Sequence, residues 1–483
     1  MTKHVPTPTS RLRFGLGAAD ITPPVGIYHR MWGAARHDRA AGVHRPLRAD
    51  VLLLAPLDCG PLLVRAHLDL VGLAATQHNE LRQALAEITG ALLERVIITY
   101  SHTHSSGFFV ANRIALSGGE LIVPYLRQLR LKVQEAGAQA LYAMREAVVT
   151  YATGQCGMAA NRDYWDAEAG HPVCGFNPQG EPDQTVVVAR FSAPSGQLLA
   201  TMVNYSCHPT SLAWENTLIS PDYPGALRET VEKSTGAPCT FALGACGDQG
   251  PRDGFVGDPA VADRNGRQVG HAALSVLEGM GAPAADFVYQ GPVISGATLG
   301  AWAHVPFPAE RQAQTAGFAG GTYTVDLPLK PGLEAERFQR ELQEWSARQQ
   351  EAEVRGDVLE TRNCSALAER ARRWLARLEG LPTGPTYPFQ FTVYRLGDAI
   401  WATCGGEPYS LIQTELRRRF PQFTLLFSPL TSDFQVAYLL PRDRYGKGLY
   451  QEEPSSLAPG CLELLIEAMA AQISALETGE PVL

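Results

Sequence analysis

The sequence predicts an α/β fold: a layered α/β sandwich with mixed sheets, extended by an inserted helical hairpin. Three observations predict it. Short apolar strands alternate with helix-patterned segments from residue 11 past residue 280, and the alternation resumes at Tyr387. Between these halves, residues 331–378 are dense in Glu, Arg, Gln and Ala, with Trp345, Leu359, Leu367 and Trp374 spaced along them. The 46 Gly and 34 Pro supply the many tight connections that such a fold needs. Residues 1–483 read as one domain, with 331–380 as a helical insertion whose composition is that of a solvated arm without a chemical role.

The elements follow in order. Residues 11–26 read as a short strand entering a Pro-Gly turn. Residues 51–54 and 62–70 are apolar strands, and Asp58-Cys59-Gly60-Pro61 between them is a hairpin signal. Residues 77–93 have helical periodicity, 95–100 form a strand, and 125–147 form a long helix. Later strands are expected at 389–395, 399–404 and 423–428, and a final helix at 461–476. No repeat of 20–50 residues is present.

Bulk properties exclude several function classes. The chain is 45% hydrophobic and 19% charged, as in a globular protein, and its formal net charge of −8 is spread along the sequence. A nucleic-acid surface is therefore not expected. Nor is membrane insertion, since no apolar run approaches the ~20 residues that span a bilayer. The start, Met1-Thr2-Lys3-His4-Val5, lacks the apolar core of a secretory signal. Nine cysteines at irregular spacing include no CxxC pair. A cytoplasmic location is therefore expected, with a small-molecule substrate as partner.

Five segments could carry chemistry. Ile97-Ile98-Thr99-Tyr100 is a strand that ends in Ser101-His102-Thr103-His104-Ser105-Ser106. Both imidazoles could bind a metal, or one could bind it while the other faces a substrate. His208 follows another strand, in Asn204-Tyr205-Ser206-Cys207-His208-Pro209-Thr210, and Pro209 places it at a turn. Asp222 in the loop beyond reads either as support for a ligand histidine or as a helix N-cap. Residues 241–252 run from a strand into the Gly-rich loop Gly244-Ala245-Cys246-Gly247-Asp248-Gln249-Gly250-Pro251, whose N–H groups could stabilise an oxyanion. Glu407, in Gly405-Gly406-Glu407-Pro408, is a carboxylate able to complete a site begun by imidazoles. The fifth segment, Tyr438 to Tyr450, holds three tyrosines among which residue chemistry alone does not choose.

Read in order, Gly17-Ala18-Ala19-Asp20-Ile21-Thr22-Pro23-Pro24, Ser101-His102-Thr103-His104-Ser105, Asn204 to Thr210, Gly247-Asp248 and Gly406-Glu407-Pro408 resemble the catalytic domain of the neutral ceramidase family. Asn161-Arg162 resembles that family's Asn-Arg segment. The matches run from about residue 15 to 455. The resemblance implies a zinc ion held by His102, His208, Glu407 and Tyr438. It implies equally that His104, Arg162 and Tyr450 line the substrate carbonyl, with zinc-activated water as nucleophile.

Two departures qualify what the resemblance implies. The family's Gly-Asp-x-Ser-Pro is here Gly247-Asp248-Gln249-Gly250-Pro251, so no serine chemistry is available at position 250. The 461–476 helix is the last element expected, so a C-terminal immunoglobulin-like domain, usual in ceramidases, is not expected here. The expected function is zinc-dependent hydrolysis of a carbon–nitrogen amide bond in a soluble small or medium substrate. An esterase, lactonase or cyclic-amide hydrolase would use the same residues, and a silent ligand-binding relative is the reading outside enzymology.

Overall fold

A computed structural model describes residues 3–431 and 435–478. Its centre is a sheet of eight strands in the spatial order Cys239–Leu243, Leu198–Tyr205, Thr185–Ser192, Arg145–Gln155, Thr9–Asp20, Arg48–Ala55, Leu63–Leu68 and Val96–Tyr100. The two outermost pairs are parallel and the strands between them antiparallel. A second, four-stranded sheet runs Phe318–Pro328, Thr386–Leu396, Ala399–Cys404 and Thr424–Ser428, its last pair parallel.

Side-chain alternation explains how the layers stack. In the 48–55 strand, Val51 and Leu53 point to one face and Leu52 and Leu54 to the other. The first face packs on four helices (Ala75–Thr89, Ile122–Tyr142, Tyr223–Thr235 and Pro259–Glu278) through residues such as Leu85, Leu129, Leu227 and Val269. The second face meets Tyr394, Leu396, Trp401 and Leu426 of the smaller sheet, with Phe14 and Phe191 stacked at 4.2 Å in the seam. The far face of the smaller sheet is covered by Leu411–Arg419 and Cys461–Thr478. The result is helix, sheet, sheet, helix, a layered α/β sandwich with mixed sheets. Both faces of the central strands are buried, which explains their continuous apolar runs. Each buried Val or Leu contributes about 1.5–3 kcal/mol relative to exposure.

Several element boundaries differ from the sequence expectation. The long helix ends at Tyr142 rather than 147. Arg145–Gln155 instead forms a strand, since its Val148-Val149-Thr150-Tyr151 run suits a pleated surface and pairs on both sides. The first strand is longer than expected, Thr9–Asp20. Within 331–380 two helices, Ala335–Arg355 and Val358–Glu379, lie against each other, with the Phe338 and Trp374 rings stacked at 4.9 Å. Among the described residues no helix is long and apolar enough to cross a membrane.

Candidate metal and catalytic site

The site forms because the large sheet curls. His102 follows the Val96–Tyr100 edge strand, and His208 follows the strand next to the opposite edge. Right-handed twist, accumulated over eight strands, brings those edges towards each other. The His67 ring, next to one edge, lies 5.8 Å from the Phe241 ring on the other. The imidazoles of His102 and His208 thereby meet with ring centroids 5.1 Å apart.

Each ligand candidate is held by backbone. After Tyr100 the chain turns, with the Ser101 and His102 amides donating to Leu68 and Leu70 carbonyls, each at 2.9 Å. His102 takes a left-handed φ of 64°, a strained state for a non-glycine residue that its surroundings must enforce. Its Nδ1 donates to the Val71 carbonyl at 2.6 Å, and His208 Nδ1 donates to the Cys246 carbonyl at 2.7 Å. Both Nε2 atoms then face Glu407 Oε2, at 3.4 Å from His102 and 3.0 Å from His208. Glu407 and Tyr438 are register partners in a short parallel pair of strands, Glu407–Pro408 with Tyr438–Leu439. Gly406, at φ 62°, makes that pairing possible, since a Cβ there would stand 2.7 Å from the Ala437 carbonyl oxygen.

This arrangement fits a metal. Imidazoles anchored through Nδ1, with Nε2 converging on one carboxylate oxygen, form the donor set that zinc uses. His104 adds a third nitrogen: ligand atoms of His102, His104 and His208 all lie within 4.8 Å of one another, a trio that could hold an ion. His104 Nε2 is buried and has no protein partner. Two donor sets therefore share His102 and His208, one completed by Glu407 and the other by His104.

Burial sets the charge states. It opposes ionisation of Glu407, but His102 and His208 outweigh it and hold the carboxyl well below its ordinary range. Burial, reinforced by Arg162, pushes His208 down to about 4. Burial, with His102 and His208, also lowers His104 well below its usual value. Both are neutral imidazoles at pH 7, the form that binds metals and accepts protons. Burial and the Glu407 charge keep the Tyr438 phenol protonated.

Arg162 lies beside this group, 4% exposed. Its Nη2 donates to the Gly247 carbonyl at 2.8 Å and to the Tyr438 hydroxyl at 3.1 Å. The Tyr450 ring sits 6.0 Å from that of Tyr438 and is 56% exposed, at the mouth of the site. All seven sequence-selected residues are thus in one neighbourhood. Trp32 was not among them, although its ring lies 5.1 Å from that of His104. Nothing in Met31-Trp32-Gly33 marks a site residue, and Gln451, which bonds Asp163 and the Gly247 carbonyl, was equally silent.

Two readings of the loops are corrected. Asp222 does not support a ligand histidine. It caps the 223–235 helix and accepts from the Leu212 and Tyr223 amides, while the histidine Nδ1 atoms use carbonyls instead. The 244–251 loop does not leave all its N–H groups for an oxyanion: those of Gly247 and Gln249 go to the Pro408 and Cys246 carbonyls. The loop serves through its carbonyls, which fix His208 and Arg162.

No protein-family model matches the chain. In sequence, 251 residues are 25% identical to neutral ceramidase of Pseudomonas aeruginosa, a match spanning 50% of this chain and 37% of that protein. In structure, a crystal structure of neutral ceramidase from Pseudomonas aeruginosa superposes with a TM-score of 0.66 at 17% identity, covering 99% of this chain and 76% of that one. A structure of ceramidase complexed with C2 gives a TM-score of 0.66 at 16% identity over the same shares. The fold is that of neutral ceramidase. The sequence match agrees with a divergent member of the ceramidase family.

Within this ceramidase fold, position 250 is open. A Cβ built on Gly250 would meet only Thr210 Oγ1 at 3.7 Å and Arg162 Cδ at 3.9 Å, ordinary contacts. Thr210 is 1% exposed, and its hydroxyl has no hydrogen-bond partner. The glycine therefore leaves room beside Arg162 and an unpaired hydroxyl facing it.

Proposed function

We propose that this chain is a zinc-dependent hydrolase of a carbon–nitrogen amide bond in a soluble small or medium-sized substrate, acting in the cytoplasm. One observation carries the reading: His102 and His208, anchored through Nδ1, aim Nε2 at the same Glu407 oxygen, with Tyr438 in register beside it. Zinc held there by His102, His208, Glu407 and Tyr438 would supply a Lewis acid and acidify water.

The remaining roles belong to the protein. His104, a neutral imidazole with a free Nε2, accepts the proton released when water attacks the carbonyl. Arg162 keeps its charge: burial opposes it, but Tyr438, Cys174 and Glu407 more than compensate. Its guanidinium and the Tyr450 hydroxyl stabilise the oxyanion. A protonated tyrosine at the mouth can give its proton to the departing amine. Gly250 removes any role for a side chain at that place, so water is the nucleophile. The nine cysteines, all free, accord with a reducing compartment.

The test measures metal by mass spectrometry and turnover on amide and ester libraries. His102→Ala and His208→Ala should each lose both metal and activity. Stoichiometric zinc retained in the double variant would sink the assignment, and turnover confined to esters would replace the amide reading by an esterase.

A further inference from the structure

The second hairpin helix forms one wall of a cavity beside the candidate site, and that wall carries Arg362. The cavity, about 790 Å³, is lined by Arg36, His37, Trp214, Glu215, Arg362 and Asn363 among others, a size within the range of small-molecule sites. It is one aromatic layer from the candidate metal site. Trp214 lines it, Trp32 lies 6.2 Å from Trp214, and His104 lies 5.1 Å from Trp32. Gly33 and Ala34, which follow Trp32, also line it.

The helix is set against the site along one face. Arg362, Ala366, Glu369 and Arg373 recur at spacings of four, three and four, which align them on a helix. Ala366 packs near Gly33, whose added Cβ would be 3.6 Å away, and Glu369 approaches Arg113 at 4.0 Å. At the far end of the face the Arg373 charge reaches the mouth. Burial and Glu407 raise the Tyr450 pKa, and Arg373 and Arg162 oppose that rise. Arg362 and Arg373 are thus about 16 Å apart along the helix, one lining the cavity and the other towards Tyr450.

These guanidiniums are unspent. Glu369 is shared by Arg113 and Arg372, and Glu453 takes Arg370 and the Trp374 indole. Among the described residues, Arg36, Arg362 and Arg373 form no ion pair. Glu215 is the acidic group lining the cavity, so the two arginines there outnumber it. A guanidinium is the side chain that pairs with a carboxylate through two parallel hydrogen bonds, and this cavity is lined by two of them.

We propose that the Arg36–Arg362 cavity binds a carboxylate at the distal end of the substrate, making this a hydrolase of carboxylate-bearing amides. The proposal rests on the amide-hydrolase reading. Trp32 and Trp214 line the path between the scissile bond and the carboxylate, and the hairpin is a specificity wall rather than a solvated arm.

The test uses the full, zinc-loaded chain in two arms. The first compares kcat/KM for ω-carboxyacyl p-nitroanilides with unsubstituted acyl p-nitroanilides of equal length, and for N-acetyl ω-amino acids with N-acetyl alkylamines. In at least one series the carboxylate member should win by about tenfold or more. R36A/R362A should erase that preference through KM while leaving turnover of the neutral member unchanged, and R36K/R362K should restore much of it. The second arm titrates free adipate against tryptophan fluorescence, which needs no catalysis. Saturable quenching in the wild type, lost in R36A/R362A at unchanged thermal midpoint, supports the cavity. Adipate binding without turnover of any amide would keep the cavity and sink the hydrolase. Turnover of amides with no carboxylate preference in either series, or quenching equal in wild type and R36A/R362A, would overturn the proposal.

Discussion

The floor of the site and its mouth are built on opposite principles. On the floor, His102, His208 and Glu407 are at most 8% exposed, and each imidazole is tied by a carbonyl on one side and a carboxylate on the other. At the mouth, Tyr450 is more than half exposed and Arg373 forms no ion pair, and Arg362, further along the same helix, is equally unpaired at the neighbouring cavity. The floor buries charge and must satisfy it, so every group there constrains its neighbours. The mouth leaves charge in solvent, where it costs little and can be turned to recognition. Chemistry is placed where geometry is over-determined, and selectivity where side chains can change without unfolding the protein.

Substitutions should divide along that line. The largest effect belongs to His208→Ala. It removes a fully buried imidazole and its hydrogen bond to the Cys246 carbonyl, leaving a cavity beside the Glu407 carboxylate, at a cost of about 2–5 kcal/mol. Urea denaturation of the metal-free protein measures it, and a loss below 1 kcal/mol would mean that the floor is not a coupled unit.

Asp248 sharpens the comparison through pH. Burial raises its pKa to about 6, against hydrogen bonds from the Ser410 amide and hydroxyl at 2.7 and 2.8 Å. A carboxyl with a raised folded-state pKa contributes stability below its unfolded value near 4, and that contribution is lost as pH rises through about 6. The stability difference between wild type and Asp248→Asn should therefore shrink by about 2–3 kcal/mol from pH 4 to pH 7. A difference that stays flat over that window would contradict the buried, protonatable state.

Gly406→Ala comes next. The new Cβ meets the Ala437 carbonyl at 2.7 Å, at a φ of 62°, so a cost of about 1–3 kcal/mol is expected, with Glu407 displaced from register. A thermal melt reads the first effect, and zinc affinity the second. Gly250→Ala should be the mildest. Its contacts at 3.7 and 3.9 Å allow a methyl group, and stability should stay within about 0.5 kcal/mol. A marked destabilisation would show that the space beside Thr210 is tighter than its geometry indicates.

Much of the site was legible as residue types at strand ends. His102, His104, His208 and Glu407 each follow an apolar run, because a strand buried on both faces exposes chemistry only where it stops. Arg162 and the tyrosines were legible only through a family resemblance, since nothing local distinguishes them from packing residues. Asp222 stayed open between two readings because an aspartate before a helix and an aspartate beside a ligand look the same in one dimension, and the structure chose the helix cap. The helix expected to reach residue 147 ended early for a related reason: Arg145–Gln155 takes its conformation from two neighbouring strands that are distant in sequence.

By itself the sequence determined the layered α/β class, the strands that end in imidazoles and carboxylate, and the absence of a serine at position 250. Those properties reside in local periodicity and residue identity. Tertiary structure alone decided that two histidines from opposite sides of an eight-stranded sheet share one carboxylate oxygen, because curl is a sum over all the strands. It also decided that Tyr438 stands in register with Glu407, through a pairing across 31 positions that no local pattern encodes. Likewise it laid the Arg362–Arg373 face along the site, since a helix's partner is set by what it packs against rather than by its own sequence.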